Sequence, residues 1–517
     1  MPRVRAPETL PMQLTLDPHG APRHQQIYAA FRVAILRGTL RRGDRLPSTR
    51  VLARDLGVSR TTVLGAFARL LAEGYVVGKA GGGTRVATTL PRQPHGDPAP
   101  PPAAPPSLSP AARALIGEGK WRRVPMEAVP FAAGLPAPDL FPLATWTRLA
   151  ARRWRLSGHA LLMPCDPRGH GPLREAIARY AVAARGVACT AEQVLVVNGA
   201  QHAVDLCARL LVGPDDAVWM ESPGYLPARG MFAATGARLV DVPVDADGID
   251  VAQGRLMAPD ARLAFVTPSY QALLGVTMSL ARRLALLEWA RDAGAWIVED
   301  DYHGEYRYDS APVPAMQGLD AHGRVLYIGT FSKTLSSAIR LGYLIVPEAL
   351  VEPFARARLL LDRHSPMPEQ AFLADFIAGG HFARHIRRTR AAYHERQRAF
   401  LALAERELAG LVTFEAIPAG IRLLGWLPPD VSDRAVAAEA ARRGVVVEPL
   451  SPQLGSAVQP PGLMFGYVTY GAAETRAAMR TLAAVIRDVQ ATPASSAAVT
   501  PSAAPRSGPP ARRGARG

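Results

Sequence analysis

The chain has 517 residues, which is long enough to build several folded domains. Its 48% hydrophobic side chains are enough to form apolar cores, which excludes a disordered protein. Its 60 Lys and Arg residues outnumber 44 Asp and Glu residues, and only three of the basic residues are lysines. The start of the chain lacks the apolar segment of a signal peptide, and no apolar run reaches the ~18 residues of a membrane span. We therefore expect a cytoplasmic protein without a membrane partner.

The net charge of +16 is concentrated at the amino end. In residues 1–89 the basic residues outnumber the acidic ones by nine, which is about half of the total excess. Such asymmetry favours a polyanionic partner for this part of the chain. A general arginine bias of the source genome is the alternative explanation.

Cysteine usage favours a reducing compartment. Cys165, Cys189 and Cys207 form neither the CxxC pairs of metal sites nor an even disulfide set. We expect three free thiols in apolar surroundings, and no metal site.

A small helical domain is predicted over residues 23–88. Apolar residues recur at helical spacing from Gln25 to Arg37. Ser48 and Ser59 fit the N-cap positions of two further helices, which are separated by a turn at Gly57. Two short helices around a glycine turn indicate a helix-turn-helix motif.

The last of these helices carries Val63, Phe67, Leu70 and Leu71 on the face predicted to be buried. The segment YVVGKAGGGTRVA that follows is predicted to form a two-stranded wing with a glycine tip, which suits entry into a minor groove.

Residues at the helix starts and in the wing are the candidate contacts to DNA bases and phosphates. They are Arg45, Ser48, Arg50, Ser59, Arg60, Thr61, Thr62, Lys79, Gly82 and Thr84, with Arg85 beside them. A helical adaptor with a solvated basic face is the alternative. The order of helix, helix-turn-helix and wing favours double-stranded DNA as the partner.

The segment RLPSTRVLARDLGVSRTTVLGA, followed by GGGT, resembles the winged-helix domain of the GntR regulator family. The resemblance implies a winged helix-turn-helix DNA-binding domain.

Three segments lack the pattern of folded domains. Residues 1–22 are predicted to be a loose arm, residues 89–125 a Pro/Ala-rich linker, and residues 491–517 a disordered tail. The remaining residues, 126–490, are predicted to form the second domain.

Short apolar runs alternate with amphipathic stretches in the second domain, which predicts an α/β fold with a mostly parallel sheet. Five of the runs end in a polar cluster. They are Val194–Val197 before NGAQH, Ala217–Met220 before ESPGY, Leu263–Val266 before TPSYQ, Ala295–Val298 before EDDY, and Val325–Gly329 before TFSK. Because ligands bind outside the carboxyl ends of strands in open α/β sheets, we expect the five clusters to form one pocket.

Lys333 follows one of these strands and indicates a cofactor with an aldehyde, because arginine cannot lose its proton to bond with one. A phosphorylated pyridine aldehyde also needs an acid at its ring nitrogen, a donor at its phenolic oxygen, a phosphate cradle and a stacking ring. The predicted residues are Lys333 as anchor and catalytic residue, Asp300 for the ring nitrogen, Tyr302 for the phenolic oxygen, Tyr225 for stacking, and Ala200, Gln201, Thr330, Ser332 and Arg340 for the phosphate. Each residue alone has an ordinary explanation as a loop or surface residue, but their joint placement favours a pocket.

Residues Phe131 to Val489 resemble a fold-type I aminotransferase, in segments such as ESPGYLPAR, EDDYHGEYRY and GTFSKTLSSAIRLGY. With the GntR-like domain before it, the chain resembles the MocR/GabR family of transcription regulators. The resemblance implies pyridoxal 5'-phosphate on Lys333, with Asp300 and Tyr302 as ring partners and Arg340 as a phosphate ligand. It also implies a head-to-tail homodimer.

Two departures from the family pattern concern the pocket. The chain has QALLG at residues 271–275, where family members usually have a QFPTG-like turn. The segment GLMFGYVTY lacks the arginine with which aminotransferases hold the substrate carboxylate. Arg422 or Arg229 is a candidate replacement, and a structural role for either arginine is the alternative.

Three hypotheses remain open. The first is a DNA-binding regulator that senses the cofactor or an amine or amino-acid effector. The second is an active aminotransferase with an appended DNA-binding domain, which the missing arginine disfavours because the substrate loses orientation. The third is a cofactor-free repressor whose pocket is closed by the QALLG loop.

Overall fold

The computed structural model describes residues 14–18, 20–79, 83–90, 107–117, 129–309, 313–415 and 417–491, except the side chain of Lys79. These residues belong to two compact units, Met1–Ser107 and Leu108–Gly517. The arm, the linker and the tail predicted from the sequence lie mostly outside the described ranges.

Within its described residues, the first unit holds three helices and a two-stranded antiparallel sheet. Its elements are α1 (Arg23–Leu36), α2 (Thr49–Asp55), α3 (Arg60–Ala72), β1 (Val76–Lys79) and β2 (Gly83–Val86). Val76 pairs with Val86, and Lys79 pairs with Gly83 next to the tip. This is the winged helix-turn-helix arrangement that the sequence predicted.

Both predicted N-caps are present in this unit. The Ser48 hydroxyl accepts a hydrogen bond from the Val51 amide at 3.3 Å, and the Ser59 hydroxyl accepts one from the Thr62 amide at 3.1 Å. Each cap pairs one of the free amides at a helix start, which stabilises the helix by about 1 kcal/mol.

Helix α3 buries Val63, Phe67 and Leu70 in the core of the unit, whereas Leu71 is 51% exposed. The prediction that Leu71 faces the core was therefore wrong. Consecutive residues of a helix point in directions about 100° apart, so Leu70 takes the inward position and turns Leu71 outward.

In the part of the chain that the structure describes, the second unit is built on a mostly parallel sheet of eight strands. In spatial order they are β3 (Val194–Val197), β10 (Gly342–Ile345), β9 (Val325–Thr330), β8 (Trp296–Asp300), β7 (Leu263–Val266), β4 (Ala217–Ser222), β5 (Arg238–Asp245) and β6 (Gly248–Ile249). Of these strands, only β10 and β6 are antiparallel to the other six. All five predicted strands are present, and their carboxyl ends lie at one edge of the sheet.

Helices cover both faces of this sheet. They are α5 (Leu143–Ser157), α6 (Gly171–Tyr180), α7 (Ala200–Leu211), α8 (Leu226–Ala233), α9 (Val251–Met257), α10 (Leu280–Ala293), α11 (Glu348–Leu361), α12 (Met367–Ala378) and α13 (His381–Glu407). In β3, Leu195 and Val197 share a core cluster with α7, and Val194 and Val196 share another with α6 and α12. Burial on both faces explains why the strands are continuous apolar runs.

A smaller antiparallel sheet follows α13. Its elements, with the helices around them, are β11 (Thr413–Phe414), β12 (Arg422–Trp426), α14 (Asp433–Arg442), β13 (Glu448–Pro449), β14 (Gly462–Gly466) and α15 (Ala472–Ala491). The strand order is β11, β12, β14, β13, with a core of its own that includes Leu423 and Phe465. Across the described ranges, no helix has both the length and the apolar character needed to cross a bilayer.

One short helix, α4 (Pro110–Ile116), lies inside the segment predicted to be a linker. Ser109 caps it, with its hydroxyl accepting from the Ala112 amide at 3.1 Å. α4 packs against α8, where a Cβ at Gly230 would lie 2.8 Å from the Leu115 carbonyl oxygen. Proline and alanine content predicted a spacer, but the cap and this close packing make part of the segment helical.

A buried ion pair fixes the chain where it leaves β8. Arg185 Nε lies 2.7 Å from Asp301 Oδ2, and both side chains are fully buried. The Tyr327 hydroxyl donates to the same Asp301 oxygen at 2.7 Å, and Arg185 Nη2 donates to the Ser269 hydroxyl at 3.1 Å. Burial raises the pKa of Asp301, but the Arg185 charge and the hydrogen bonds from Arg185, Tyr327 and Ser269 together hold this pKa below its usual value. The pair orients Asp301 to one side of the chain and leaves Asp300 facing the other.

Candidate functional site

Lys333 lies in the turn after β9, with its amine enclosed by the chain. Lys333 Nζ donates to the Gly134 carbonyl oxygen at 2.7 Å. Gly134 has a φ of 80°, and a Cβ there would lie 2.9 Å from Nζ, so the glycine leaves the space that the amine fills. Burial lowers the pKa of Lys333 to about 8, and the charge of Arg422 adds to this shift. A lowered pKa increases the share of neutral amine, which is the form that bonds to an aldehyde.

Asp300 ends β8 and is a buried carboxylate with an unused acceptor. Its Oδ1 has no hydrogen-bond partner among the described residues. Burial, together with the charge of Asp301, raises the pKa of Asp300 to about 7, while Lys333 opposes this shift. A protonated ring nitrogen placed at Oδ1 would provide both the missing donor and a compensating charge.

Tyr302 lies beside Asp300 and is contacted by an arginine from the smaller sheet. Arg422 Nη2 donates to the Tyr302 hydroxyl at 2.9 Å, and the guanidinium carbon lies 5.7 Å from the centre of the Tyr302 ring. Because the Tyr302 oxygen accepts from Arg422, its own hydrogen is available to donate elsewhere. This agrees with the predicted role at a phenolic oxygen.

Tyr225 lies close to Asp300, and Gln201 lies close to Tyr225. Burial raises the pKa of Tyr225 to about 12, and the charge of Asp300 adds to this rise. The Gln201 side chain opposes this rise from its place beside the Tyr225 hydroxyl. Part of the Tyr225 ring packs on the core under α7, so the ring is held against the sheet edge where Asp300 lies.

The start of α7 forms a cradle with Arg340. Gly199 has a φ of 90° and precedes Ala200, the first residue of α7. Arg340 Nη2 donates to the Asn198 carbonyl oxygen at 2.8 Å, and a Cβ at Gly199 would lie 3.5 Å from the guanidinium. Free amides at a helix start next to a guanidinium suit a phosphate.

Thr330 and Ser332 form the turn between β9 and Lys333. The Ser332 amide donates to the Thr330 hydroxyl at 3.1 Å, which tightens this turn. Direct contacts and charge effects thus link Lys333, Asp300, Tyr302, Tyr225 and Gln201, whereas Thr330 and Ser332 contact each other. This set of donors and acceptors fits a phosphorylated pyridine aldehyde.

His303 is a residue of this cluster that the sequence analysis missed. It is 2% exposed, and neither ring nitrogen has a hydrogen-bond partner among the described residues. Its ring centre lies 4.2 Å from that of Tyr302 and 5.4 Å from that of Tyr270. The sequence signal that could have identified His303 is its position as a titratable residue directly after EDDY.

The QALLG loop is held by Gln271. Its Nε2 donates to Glu221 Oε2 at 3.0 Å, and its Oε1 accepts from the Leu273 and Leu274 amides at 2.8 and 2.7 Å. Both leucines pack in a cluster with Leu424 of the smaller sheet. The loop is therefore ordered by its own glutamine without the proline and threonine of the usual family turn.

The two candidate replacements for the missing arginine have different surroundings. Arg229 is paired with Asp241, which gives it a structural role. Arg422 instead contacts Tyr302 and acts on Lys333. The structure thus brings only Arg422 to the cluster.

In the first unit, Arg50, Arg60 and Thr61 are exposed at the starts of α2 and α3. Arg60 Nε donates to the Thr49 hydroxyl at 3.4 Å, which links the two helix starts. Ser48 and Ser59 act as caps, and the Thr62 hydroxyl is hydrogen-bonded to that of Ser59 at 2.8 Å.

Arg45 and the candidate DNA contacts of the wing lie in the same unit. The Arg45 guanidinium lies beside Gly83, where a Cβ would be 3.2 Å from Arg45 Nε. Thr84 is half-buried next to it, and its carbonyl oxygen accepts from the Leu46 amide at 2.8 Å. Gly82 and the Lys79 side chain lie outside the described residues.

Comparison with known proteins covers both units. The family described as bacterial regulatory proteins, gntR family, matches residues 23–86, and aminotransferase class I and II matches residues 130–486. The "Probable rhizopine catabolism regulatory protein MocR" of Rhizobium meliloti is 42% identical, over 86% of this chain and 90% of that protein. The HTH-type transcriptional regulator TauR of Rhodobacter capsulatus is 34% identical, over 80% of this chain and 86% of that protein.

A solved structure matches the second unit. LysN, an α-aminoadipate aminotransferase from Thermus thermophilus complexed with N-(5'-phosphopyridoxyl)-L-leucine, is 27% identical with a TM-score of 0.65. The match covers 74% of this chain and 96% of that structure.

The fold and these matches define a transcription regulator with a helix-turn-helix domain joined to an aminotransferase-like domain. Within that class, the chain belongs to the MocR-type regulators of the GntR family. The fold class and the family predicted from the sequence are confirmed.

Asp300→Asn is expected to stabilise the cofactor-free protein, and more so at high pH. Because the pKa of Asp300 is raised from 3.8 to about 7, ionisation opposes folding increasingly from about pH 4 to pH 7. Urea unfolding should show a gain of about 1–4 kcal/mol at pH 8 and a smaller one at pH 5. The exposed Asp260→Asn is the control, and a gain for Asp300→Asn that does not change with pH would contradict this interpretation.

Proposed function

We propose that this regulator holds pyridoxal 5'-phosphate on Lys333 and changes its DNA binding when an amine or amino-acid effector reaches that site. The observation that carries the proposal is the buried Asp300 carboxylate, whose free Oδ1 and raised pKa call for a cationic donor beside the Lys333 amine. An aspartate of this kind destabilises a fold unless a ligand compensates for it.

When bound, pyridoxal phosphate supplies an aldehyde that condenses with a primary amine to form a carbon–nitrogen double bond and water. Lys333 offers its amine from the site enclosed by Gly134. Asp300 would hold the ring nitrogen protonated, and Tyr302 would donate to the phenolic oxygen. Tyr225 would stack on the ring.

Arg340, Thr330 and Ser332, with the Ala200 and Gln201 amides, would bind the phosphate. Arg340 already lies beside the start of α7, so binding requires little rearrangement of its side chain. A planar guanidinium and helix-start amides together match the geometry of phosphate oxygens.

The first unit would bind operator DNA through the start of α3 and the wing. Arg60 and Thr61 are exposed at the first turn of α3, where a recognition helix reaches base edges. Arg45, Ser48 and Arg50 would contact phosphates, with Lys79, Gly82 and Thr84 in the wing. The head-to-tail homodimer expected from the family stays a prediction.

Lys333→Arg should abolish stable uptake of pyridoxal phosphate, because arginine keeps the charge but cannot form the covalent bond. After incubation with the cofactor and dialysis, the wild-type protein should retain a visible absorbance that Lys333→Arg and Lys333→Ala lack. An equal absorbance in both variants would remove Lys333 as the anchor.

Arg60→Ala should weaken operator binding by about 1–3 kcal/mol and relax sequence preference if the guanidinium contacts a base. Gel-shift titration on the DNA upstream of the protein's own gene measures both effects. Arg54→Ala is the matched control, because Arg54 is an exposed arginine of α2 outside the predicted contacts. Unchanged affinity in Arg60→Ala would move the base contact elsewhere on this unit.

The same titration tests sensing. Adding pyridoxal phosphate, alone and with candidate amines, should change the affinity of the wild-type protein for DNA. Binding that ignores all of them would contradict the sensor model while leaving DNA binding intact.

A further inference from the structure

The last residue of β14, in the segment GLMFGYVTY, has no room for a side chain. In the smaller sheet, Gly466 of β14 pairs with Phe131, and a Cβ at Gly466 would lie 2.1 Å from the Ala132 carbonyl oxygen. Any side chain at this position would collide with backbone. The packing of the strand therefore requires glycine at this point of GLMFGYVTY.

The neighbouring strand places an arginine directly across from that glycine. Arg422 of β12 is the register partner of Gly466, so the two residues project to the same face of the sheet. The Tyr270 hydroxyl donates to the Arg422 carbonyl oxygen at 3.0 Å and holds this part of the strand in place. A guanidinium thus reaches the cluster around Lys333 from one strand away.

Arg422 has donor capacity left after its contact with Tyr302. One N–H of the guanidinium is used on the Tyr302 hydroxyl, and an arginine has five. Glu448 also attracts this guanidinium electrostatically, and a single carboxylate can take at most two further N–H groups. The planar fork of the guanidinium matches a second carboxylate.

His303 provides a second, independent indication of a ligand. Both of its ring nitrogens are buried without partners among the described residues, which is rare for a polar side chain. Its ring lies against Tyr302, and the charges of Arg422 and Lys333 both act on it. An imidazole N–H at this place suits a bound anion.

We propose that Arg422 and His303 form the subsite that receives the carboxylate of an amino-acid effector whose amine lies at Lys333. The inference rests on the proposed function, because it assumes the cofactor on Lys333. With Asp300 directed to the cofactor ring and Arg340 to the phosphate, Arg422 is the cation of the cluster left to bind an effector. A carboxylate would pair with its remaining N–H groups and with His303.

The test compares amino acids with amines that differ only at the carboxyl group. Full-length protein loaded with pyridoxal phosphate is titrated with each proteinogenic L-amino acid and with its carboxamide, following the visible absorbance of the bound cofactor. At least one acid should bind roughly 10- to 100-fold more tightly than its carboxamide, as expected for hydrogen bonds to a charged group.

Variants assign this preference to the subsite. Arg422→Gln should abolish the preference for the acid, Arg422→Lys should keep only part of it because a single ammonium lacks the paired fork, and His303→Leu should weaken it. Arg229→Gln, the matched control, should keep it in full. The visible absorbance of each variant reports whether its cofactor site still forms.

Three results would overturn the inference: equal binding of acids and carboxamides by the wild type, an undiminished preference in Arg422→Gln, or no response to any acid. A wild-type protein that gains no visible absorbance with pyridoxal phosphate would fail earlier and would refute the proposed function itself. The two failures are therefore distinguishable.

Discussion

The buried pair of Arg185 and Asp301 determines where the polar residues after β8 point. Arg185 is the last residue of the helical turn Ala181–Arg185, which precedes β3, and its side chain contacts Asp301 at the end of β8. Removing one member of such a pair typically costs about 3–5 kcal/mol, because the other charge remains buried. Since neighbouring residues of an extended chain alternate in direction, a fixed Asp301 requires Asp300 to face Lys333. The candidate site thus depends on an ion pair outside it.

The site itself combines groups that a stable core would avoid. Asp300 is buried with a free oxygen, Lys333 has a lowered pKa, and His303 has two free nitrogens among the described residues. Each arrangement opposes folding in the absence of a ligand, and each would be compensated by a different part of a bound cofactor or effector. The three groups lie close together at one edge of the sheet, since the charge of Lys333 acts on both Asp300 and His303.

Much of the fold could be predicted from the sequence because local patterns and tertiary packing agree there. The strand ends, the Ser48 and Ser59 caps and the wing follow from apolar runs, cap residues and glycines that indicate one structure each. Leu71 could not be placed correctly, since Leu70 and Leu71 fit the helical pattern almost equally and only packing selects between them. The helix α4 was missed because its composition is that of a spacer, and its contact with α8 is not visible in the sequence.

The placement of the candidate site residues could be predicted from the sequence for a physical reason, whereas their roles stay predictions. Residues at the ends of parallel strands come together automatically, so Lys333, Asp300, Tyr302 and Tyr225 could be assembled from their strand positions. Arg422 and His303 could be assigned to the cluster only from the structure, because no local sequence pattern shows that the smaller sheet lies next to Lys333.

The most direct test of Lys333 as the cofactor anchor is borohydride reduction of the protein with bound pyridoxal phosphate, followed by peptide mass analysis. We expect one pyridoxyl group on the peptide that contains Lys333. A label confined to Lys79 or Lys120, or no label, would show that Lys333 does not hold the cofactor.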